Sequence, residues 1–148
     1  MKNMMQKLKN KKKGFTLVEV IVVLVILAIL AAIAIPALTG YISKAQEKAA
    51  TSEARTVMVA VQTLASDQYV ANPTAAALQK KDGANYVAMN EAEIVTAVTA
   101  LTGQSTVDFV DDKLPVLENG KVKSFTIVSG GWKVTYSDGN YTVEKATA

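Results

Sequence analysis

The sequence contains neither cysteine nor histidine. These two absences exclude disulfide frameworks, cysteine nucleophiles, histidine-based triads and nearly all zinc sites. Acidic residues are also missing from the first 14 positions, which hold six lysines at positions 2, 7, 9, 11, 12 and 13. Residues 15–148 carry 10 basic and 13 acidic residues, so the basic balance of the chain depends on its first segment. We therefore expect no direct binding of nucleic acid by the remainder.

One long apolar run is present. Glu19 is the only charged residue between Phe15 and Leu38, and residues 20–35 contain no polar side chain. As a helix this segment is long enough to cross a hydrocarbon core of about 30 Å. A buried core helix is the alternative, but a domain of 148 residues has no interior wide enough to surround such a helix. The lysines before the run predict a single-pass protein of the cytoplasmic (inner) membrane, with a cytoplasmic N-terminus and the rest outside.

A secretory signal peptide is a second alternative for this region. Residues 31–36 resemble a signal-peptide cleavage region, with small residues before a proline. The apolar part of a signal peptide is usually about 7–15 residues long, and this run is longer and continues into more helical pattern. A membrane-spanning helix is therefore the preferred interpretation.

Glu19 is the anomaly in the apolar run. A carboxylate in a membrane-spanning helix costs about 2.5–3.5 kcal/mol near the bilayer centre, and less near an interface. Val22 and Val23 occupy the positions three and four residues later, so no cation on the same helix face can pair with it. The alternative is that Glu19 reaches the headgroups, for which its side chain is short. An unpaired charge at this depth favours a functional role.

Residues 12–19, Lys-Lys-Gly-Phe-Thr-Leu-Val-Glu, followed by the apolar run and Pro36, resemble the prepilin signature of type IV pilins and pseudopilins. The resemblance implies that a prepilin peptidase cleaves between Gly14 and Phe15 and that the same enzyme class N-methylates Phe15. It further implies that Glu19 of one subunit pairs with the Phe15 ammonium of a neighbour when subunits assemble into a helical filament. No cofactor and no enzymatic activity are expected.

Pro36 lies within helical pattern, where it removes one backbone hydrogen bond. In the family, the matching stretch, residues 28–36 here, can lose helical order when subunits pack in the filament. The alternative is a gentle kink. The resemblance implies that Pro36, like Glu19, is a residue of the assembly segment.

The sequence predicts three segments: a cleaved leader at 1–14, a polymerisation helix at 15–38 and a globular head at 39–148. An amphipathic helix is expected at 41–71, with a buried face made of Ile42, Ala45, Ala49, Val57, Val61, Leu64 and Ala65. A short helix is expected at 74–81, and a longer one at 91–102. The longer helix follows the capping pattern of Asn90 and buries Ile94, Val98 and Leu101.

Alternating apolar residues near the C-terminus predict three strands, at about 122–128, 132–137 and 141–145, with residues 104–120 irregular. The expected fold class is α+β: a long N-terminal helical spine packed by a small antiparallel sheet, the ladle fold of the pilin family. Pilins often close their C-terminal loop with a disulfide, which this chain cannot form.

Three acidic residues before the predicted strands, Asp108, Asp111 and Asp112, are candidate calcium ligands. Major pseudopilins carry calcium in their C-terminal region, but no D-x-D-x-D-G loop is present here. A solvated acidic loop is the alternative interpretation, and we expect no bound metal.

The resemblance implies a pilus subunit for adhesion, twitching or other surface motility, processed by prepilin peptidase and extruded by an assembly platform with its ATPase. A pseudopilin of a type II secretion or DNA-uptake machine is the first alternative. A membrane-anchored binding domain that never polymerises is the second.

Overall fold

One helix, α1 (Leu17–Tyr69), contains both the apolar run and nearly all of the amphipathic segment predicted at 41–71. The computed structural model describes residues 14–104, 107–110 and 113–147. The chain forms two compact units, the first ending at Tyr41 and the second beginning at Ile42. The predicted fold class is confirmed, because a long N-terminal helix precedes a small antiparallel sheet.

In the first unit, every residue from Gly14 to Tyr41 is exposed. Among the described residues, α1 is the one helix that is long and apolar enough to cross a membrane. The helix continues through Pro36, whose carbonyl accepts a hydrogen bond from the Thr39 hydroxyl at 2.9 Å. A change of this stretch on packing into a filament stays a prediction.

In the second unit, α1 buries a stripe of mostly small residues: Ala50, Ala54, Val57, Ala60, Val61, Ala65 and Gln68. The predicted face was wrong in its first half, since Ile42, Ala45 and Ala49 are exposed. The spacing of 3.6 residues per turn places Ala49 about 100° round the helix from Ala50. Leu64 is half-buried at the margin of the stripe.

The connector after α1 is not the short helix predicted at 74–81. It contains a hairpin of two exposed strands, β1 (Gln79–Asp82) and β2 (Asn85–Ala88). Gln68 holds the start of this connector extended, because its amide donates to the Ala77 carbonyl at 3.0 Å and accepts from the Gln79 N–H at 2.6 Å. These contacts outweigh the helix propensity of the alanine run before Leu78, because tertiary contacts routinely override intrinsic propensity.

Helix α2 (Glu91–Thr102) begins with a capping box and ends at Gly103 in the left-handed conformation. Ile94 and Val98 are buried as predicted, but Leu101 is 52% exposed. Leu101 lies beside the exposed Val59 of α1 in a surface groove, where the described residues of the second unit leave it uncovered.

Five strands form the main sheet, which is antiparallel throughout: β3 (Asp108–Phe109), β4 (Val116–Glu118), β5 (Lys121–Ser129), β6 (Trp132–Ser137) and β7 (Asn140–Lys145). The order is β3-β5-β6-β7, with β4 pairing to the other end of β5. The sequence predicted three strands and an irregular segment at 104–120. The sheet contains two further short strands, β3 and β4, and both lie in that segment. Its buried face packs Phe125, Ile127 and Val134 into the core that contains Val57 and Val61.

Replacement of Asn90 by alanine should lower the free energy of unfolding of the second unit by about 1 kcal/mol. The Asn90 side chain accepts from the Glu93 N–H at 3.0 Å, and the Glu93 carboxylate accepts from the Asn90 N–H at 3.0 Å. Urea unfolding of the full chain in detergent, followed by Trp132 fluorescence, measures the loss. Thr96→Ala, on the exposed face of the same helix, is the matched control and should change stability by less than about 0.5 kcal/mol. Equal effects of the two variants would contradict the capping role.

Candidate functional site

The candidate site lies at the start of α1. Gly14, Phe15 and Thr16 precede the helix in irregular backbone, and all three are exposed. Phe15 is 82% exposed, so the bond between Gly14 and Phe15 is unobstructed by the described residues. The six lysines before Gly14 lie outside the described residues.

Thr16 is the N-cap of α1. Its hydroxyl oxygen accepts a hydrogen bond from the Glu19 N–H at 3.2 Å, and its carbonyl accepts from the Val20 N–H at 3.2 Å. Sequence reasoning missed this role, although Thr16-Leu17-Val18-Glu19 has the S/T-x-x-E pattern of a helix start. The cap fixes the start of the helix at Leu17, two residues after Phe15, the predicted first residue of the cleavage product.

Glu19 lies in the first turn of α1. The unsatisfied N–H groups of a helix N-terminus carry a partial positive charge, which favours a carboxylate in this turn. Within the described residues the Glu19 carboxylate makes no hydrogen bond and no ion pair, and its side chain is exposed. The helix dipole offsets only part of the cost of placing a full charge in lipid.

Residues 9–35 match the family model of the prokaryotic N-terminal methylation motif. The methylation motif is the class III signal of type IV pilins and pseudopilins, so the resemblance found in the sequence is confirmed. No curated protein and no solved structure matches the chain.

The matched range contains Gly14, Phe15 and Glu19 and ends immediately before Pro36. The motif supports a type IV pilin-like or pseudopilin precursor. The apolar helix near the N-terminus fits a membrane-anchored protein of this kind. Proteins of the pilin type are structural and not enzymatic.

The candidate metal ligands are not brought together by the described residues. Asp108 lies exposed on β3, whereas Asp111 and Asp112 fall outside the described residues. In the part of the chain that the structure describes, no group of three or more acidic, histidine or cysteine side chains is placed to hold a metal ion. The calcium hypothesis therefore stays a prediction.

Proposed function

We propose that the chain is the precursor of a structural subunit of an extracellular type IV pilus, assembled through its N-terminal helices. The observation that carries this proposal is the methylation motif at residues 9–35, whose Glu19 carboxylate has no partner among the described residues. The proposed division of the chain is a cleaved leader at 1–14, a polymerisation helix at 15–38 and a head at 39–148. In this proposal the filament serves adhesion, twitching or related surface attachment.

Orientation follows from charge. Six lysines and no acid precede the apolar run, and this asymmetry holds the N-terminus in the cytoplasm. Prepilin peptidase then meets the bond between Gly14 and Phe15 at the cytoplasmic surface, and N-methylates the new terminus. The assembly platform and its ATPase extrude the processed subunit from the membrane.

Cleavage converts the Phe15 nitrogen from an amide into a cation. That ammonium is the partner that the Glu19 carboxylate of a neighbouring subunit lacks. Each charge is costly alone in lipid, and removal of one partner from a buried pair leaves the other uncompensated. The pair therefore specifies the register between packed helices, and the uncut leader blocks it.

A pseudopilin is the second candidate, because the matched motif is shared by pilins and pseudopilins. Such a subunit would form a short filament in a type II secretion or DNA-uptake machine. The mature chain has a net charge of −3, which argues against this subunit gripping DNA electrostatically.

The intact mass of protein sheared from whole cells tests the proposal. We expect a species that begins at Phe15 and carries one additional methyl group. The washed membrane fraction of the same cells is the control. A processed species confined to the membranes would favour the pseudopilin, and recovery of the uncut chain alone would contradict both in favour of an anchored domain that never polymerises.

A further inference from the structure

The turn between β4 and β5 consists of two residues, Asn119 and Gly120. Glu118 and Lys121, which flank them, are paired across the hairpin. Both turn residues have left-handed backbone, with φ of 51° at Asn119 and 75° at Gly120. A two-residue turn with positive φ at both positions strongly prefers the sequence Asn-Gly. The geometry of the hairpin therefore selects this pair of residue types.

The same pair is chemically labile. The Gly120 nitrogen can attack Cγ of Asn119, because glycine has no Cβ atom to hinder the approach. A bond forms between the Gly120 nitrogen and Cγ, the bond from Cγ to Nδ2 breaks, and ammonia leaves with the proton of the Gly120 N–H. Water then opens the resulting succinimide at one of its two carbonyls, which gives aspartate or isoaspartate.

Both reacting groups are free of protecting hydrogen bonds. The Asn119 side chain is exposed and makes no hydrogen bond within the described residues. The Gly120 N–H likewise donates to no backbone carbonyl of the described chain. The conformation of the turn is therefore what controls whether the two groups meet.

The closed turn holds the reacting groups apart. In left-handed backbone ψ is about 47°, which directs the nitrogen of the next residue away from the side chain. The succinimide ring contains Cα, the carbonyl carbon and the side chain of Asn119 together with the Gly120 nitrogen, so ring closure requires rotation about ψ of Asn119. The reaction must therefore proceed from a locally opened turn.

Contacts from α1 oppose this opening. The Gln62 amide donates to the Gly120 carbonyl at 2.8 Å, and the Gln62 side-chain oxygen accepts from the Val122 N–H at 3.0 Å. The Tyr69 ring packs on the Cα atom of Gly120, where an added Cβ atom would lie 2.2 Å from Cδ2 of the ring. Rotation about ψ of Asn119 displaces Gly120 from these partners, so opening of the turn costs their contacts.

We propose that Asn119 is a site of spontaneous deamidation and that the contacts of Gln62 with the turn limit its rate. The product carries a new carboxylate next to Glu118 in the chain. Isoaspartate also adds one atom to the backbone between β4 and β5. The inference is independent of the proposed role as a pilus subunit.

Incubation of the full chain in detergent micelles at mildly alkaline pH, followed by peptide mass spectrometry, tests the proposal. The peptide that contains Asn119 should gain the mass difference between a carboxyl and an amide group, and should separate chromatographically into aspartate and isoaspartate forms. Gln62→Ala should speed this conversion about tenfold, because it removes both side-chain hydrogen bonds to the hairpin.

Gln68→Ala is the matched control. Gln68 also makes two hydrogen bonds from α1, but to the connector at Ala77 and Gln79. The variant loses comparable contacts elsewhere in the second unit, so the rate at Asn119 should stay within about twofold of the wild type. Equal acceleration in the two variants would mean that global unfolding sets the rate, and would overturn the role of Gln62.

A further variant leaves these contacts intact. Asp138→Asn places an Asn-Gly pair in the turn between β6 and β7, where φ is 46° at Asp138 and 90° at Gly139. No side chain of the described residues donates to or accepts from the backbone of this turn, and a Cβ atom at Gly139 would meet nothing within 4 Å. Position 138 should therefore convert about tenfold faster than Asn119 in the same molecule.

Two outcomes would contradict the proposal whatever the stability of Gln62→Ala. Equal rates at position 138 and at Asn119 would show that the contacts from α1 do not retard the reaction. An Asn119 that stays intact in the folded wild type and in folded Gln62→Ala, while the urea-unfolded chain converts, would show that the turn does not open far enough to react. Trp132 fluorescence verifies which form is present.

Discussion

Glu19→Ala should abolish filaments while the chain still inserts into the membrane. Insertion should become easier, because the substitution removes a carboxylate that costs about 2.5–3.5 kcal/mol near the centre of a bilayer. Assembly should fail, because the Phe15 ammonium of each neighbouring subunit would enter lipid without its partner. In the described chain the Glu19 carboxylate has no hydrogen bond or ion pair to lose, so folding of the monomer should be unaffected.

Electron microscopy of sheared fractions, combined with immunoblotting of membranes, measures both outcomes. Val20→Ala is the matched control, since it shortens the neighbouring side chain and leaves the charge. Glu19→Asp should retain some filaments, because it keeps the negative charge. The number of filaments should fall below that of the wild type, because the shorter side chain places the carboxylate one methylene further from its partner. Filaments of normal number in Glu19→Ala would contradict assembly through this pair, although they would leave cleavage after Gly14 intact.

The prediction depends on the start of α1, where sequence reasoning identified the charge but missed the cap. Glu19 stood out because one carboxylate in a long apolar run has an obvious energetic cost. Thr16 did not stand out, since a threonine before a helix has no such cost. The S/T-x-x-E pattern of residues 16–19 is a local signal for this role, and the 3.2 Å contact between the Thr16 hydroxyl oxygen and the Glu19 N–H shows the cap. The family signature covers both residues.

The secondary structure of the head was predictable where local signals are strong. The pattern from Asn90 to Gly103 contains both ends of α2, and alternation around Phe125, Val134 and Tyr141 indicates the strands of the main hairpins. The hairpin of β1 and β2 has no such signal, since its residues are exposed on both faces, apart from the half-buried Gln79. The short strands β3 and β4 form by antiparallel pairing with β5. Because this pairing depends on where β5 lies, no local sequence pattern predicts the two strands.

The connection between the end of α1 and the sheet could not be predicted either. Gln62 donates to the Gly120 carbonyl at 2.8 Å and accepts from the Val122 N–H at 3.0 Å. These residues are about sixty positions apart in the chain, so their contact depends on the tertiary fold. Asn119-Gly120 is recognisable as a turn, but the side chain that packs on it is not.

Gly120→Ala should be the most destabilising single substitution in this turn. The residue has φ of 75°, and a Cβ atom would lie 2.2 Å from Cδ2 and 2.8 Å from Cγ of Tyr69. The left-handed backbone costs about 1–2 kcal/mol for alanine. Overpacking against the ring adds about 1–3 kcal/mol. We therefore expect the free energy of unfolding of the second unit to fall by about 2–5 kcal/mol.

Urea unfolding of the full chain in detergent, followed by Trp132 fluorescence, measures this loss. Gly139→Ala is the matched control, because Gly139 has φ of 90° and a Cβ atom added there would meet nothing within 4 Å. The difference between the two variants isolates the clash with Tyr69 from the cost of the backbone. Tyr69→Ala combined with Gly120→Ala should recover most of that difference, since the double variant removes the obstructing ring. Equal losses in Gly120→Ala and Gly139→Ala would mean that the Tyr69 ring moves aside without cost and would contradict the predicted clash.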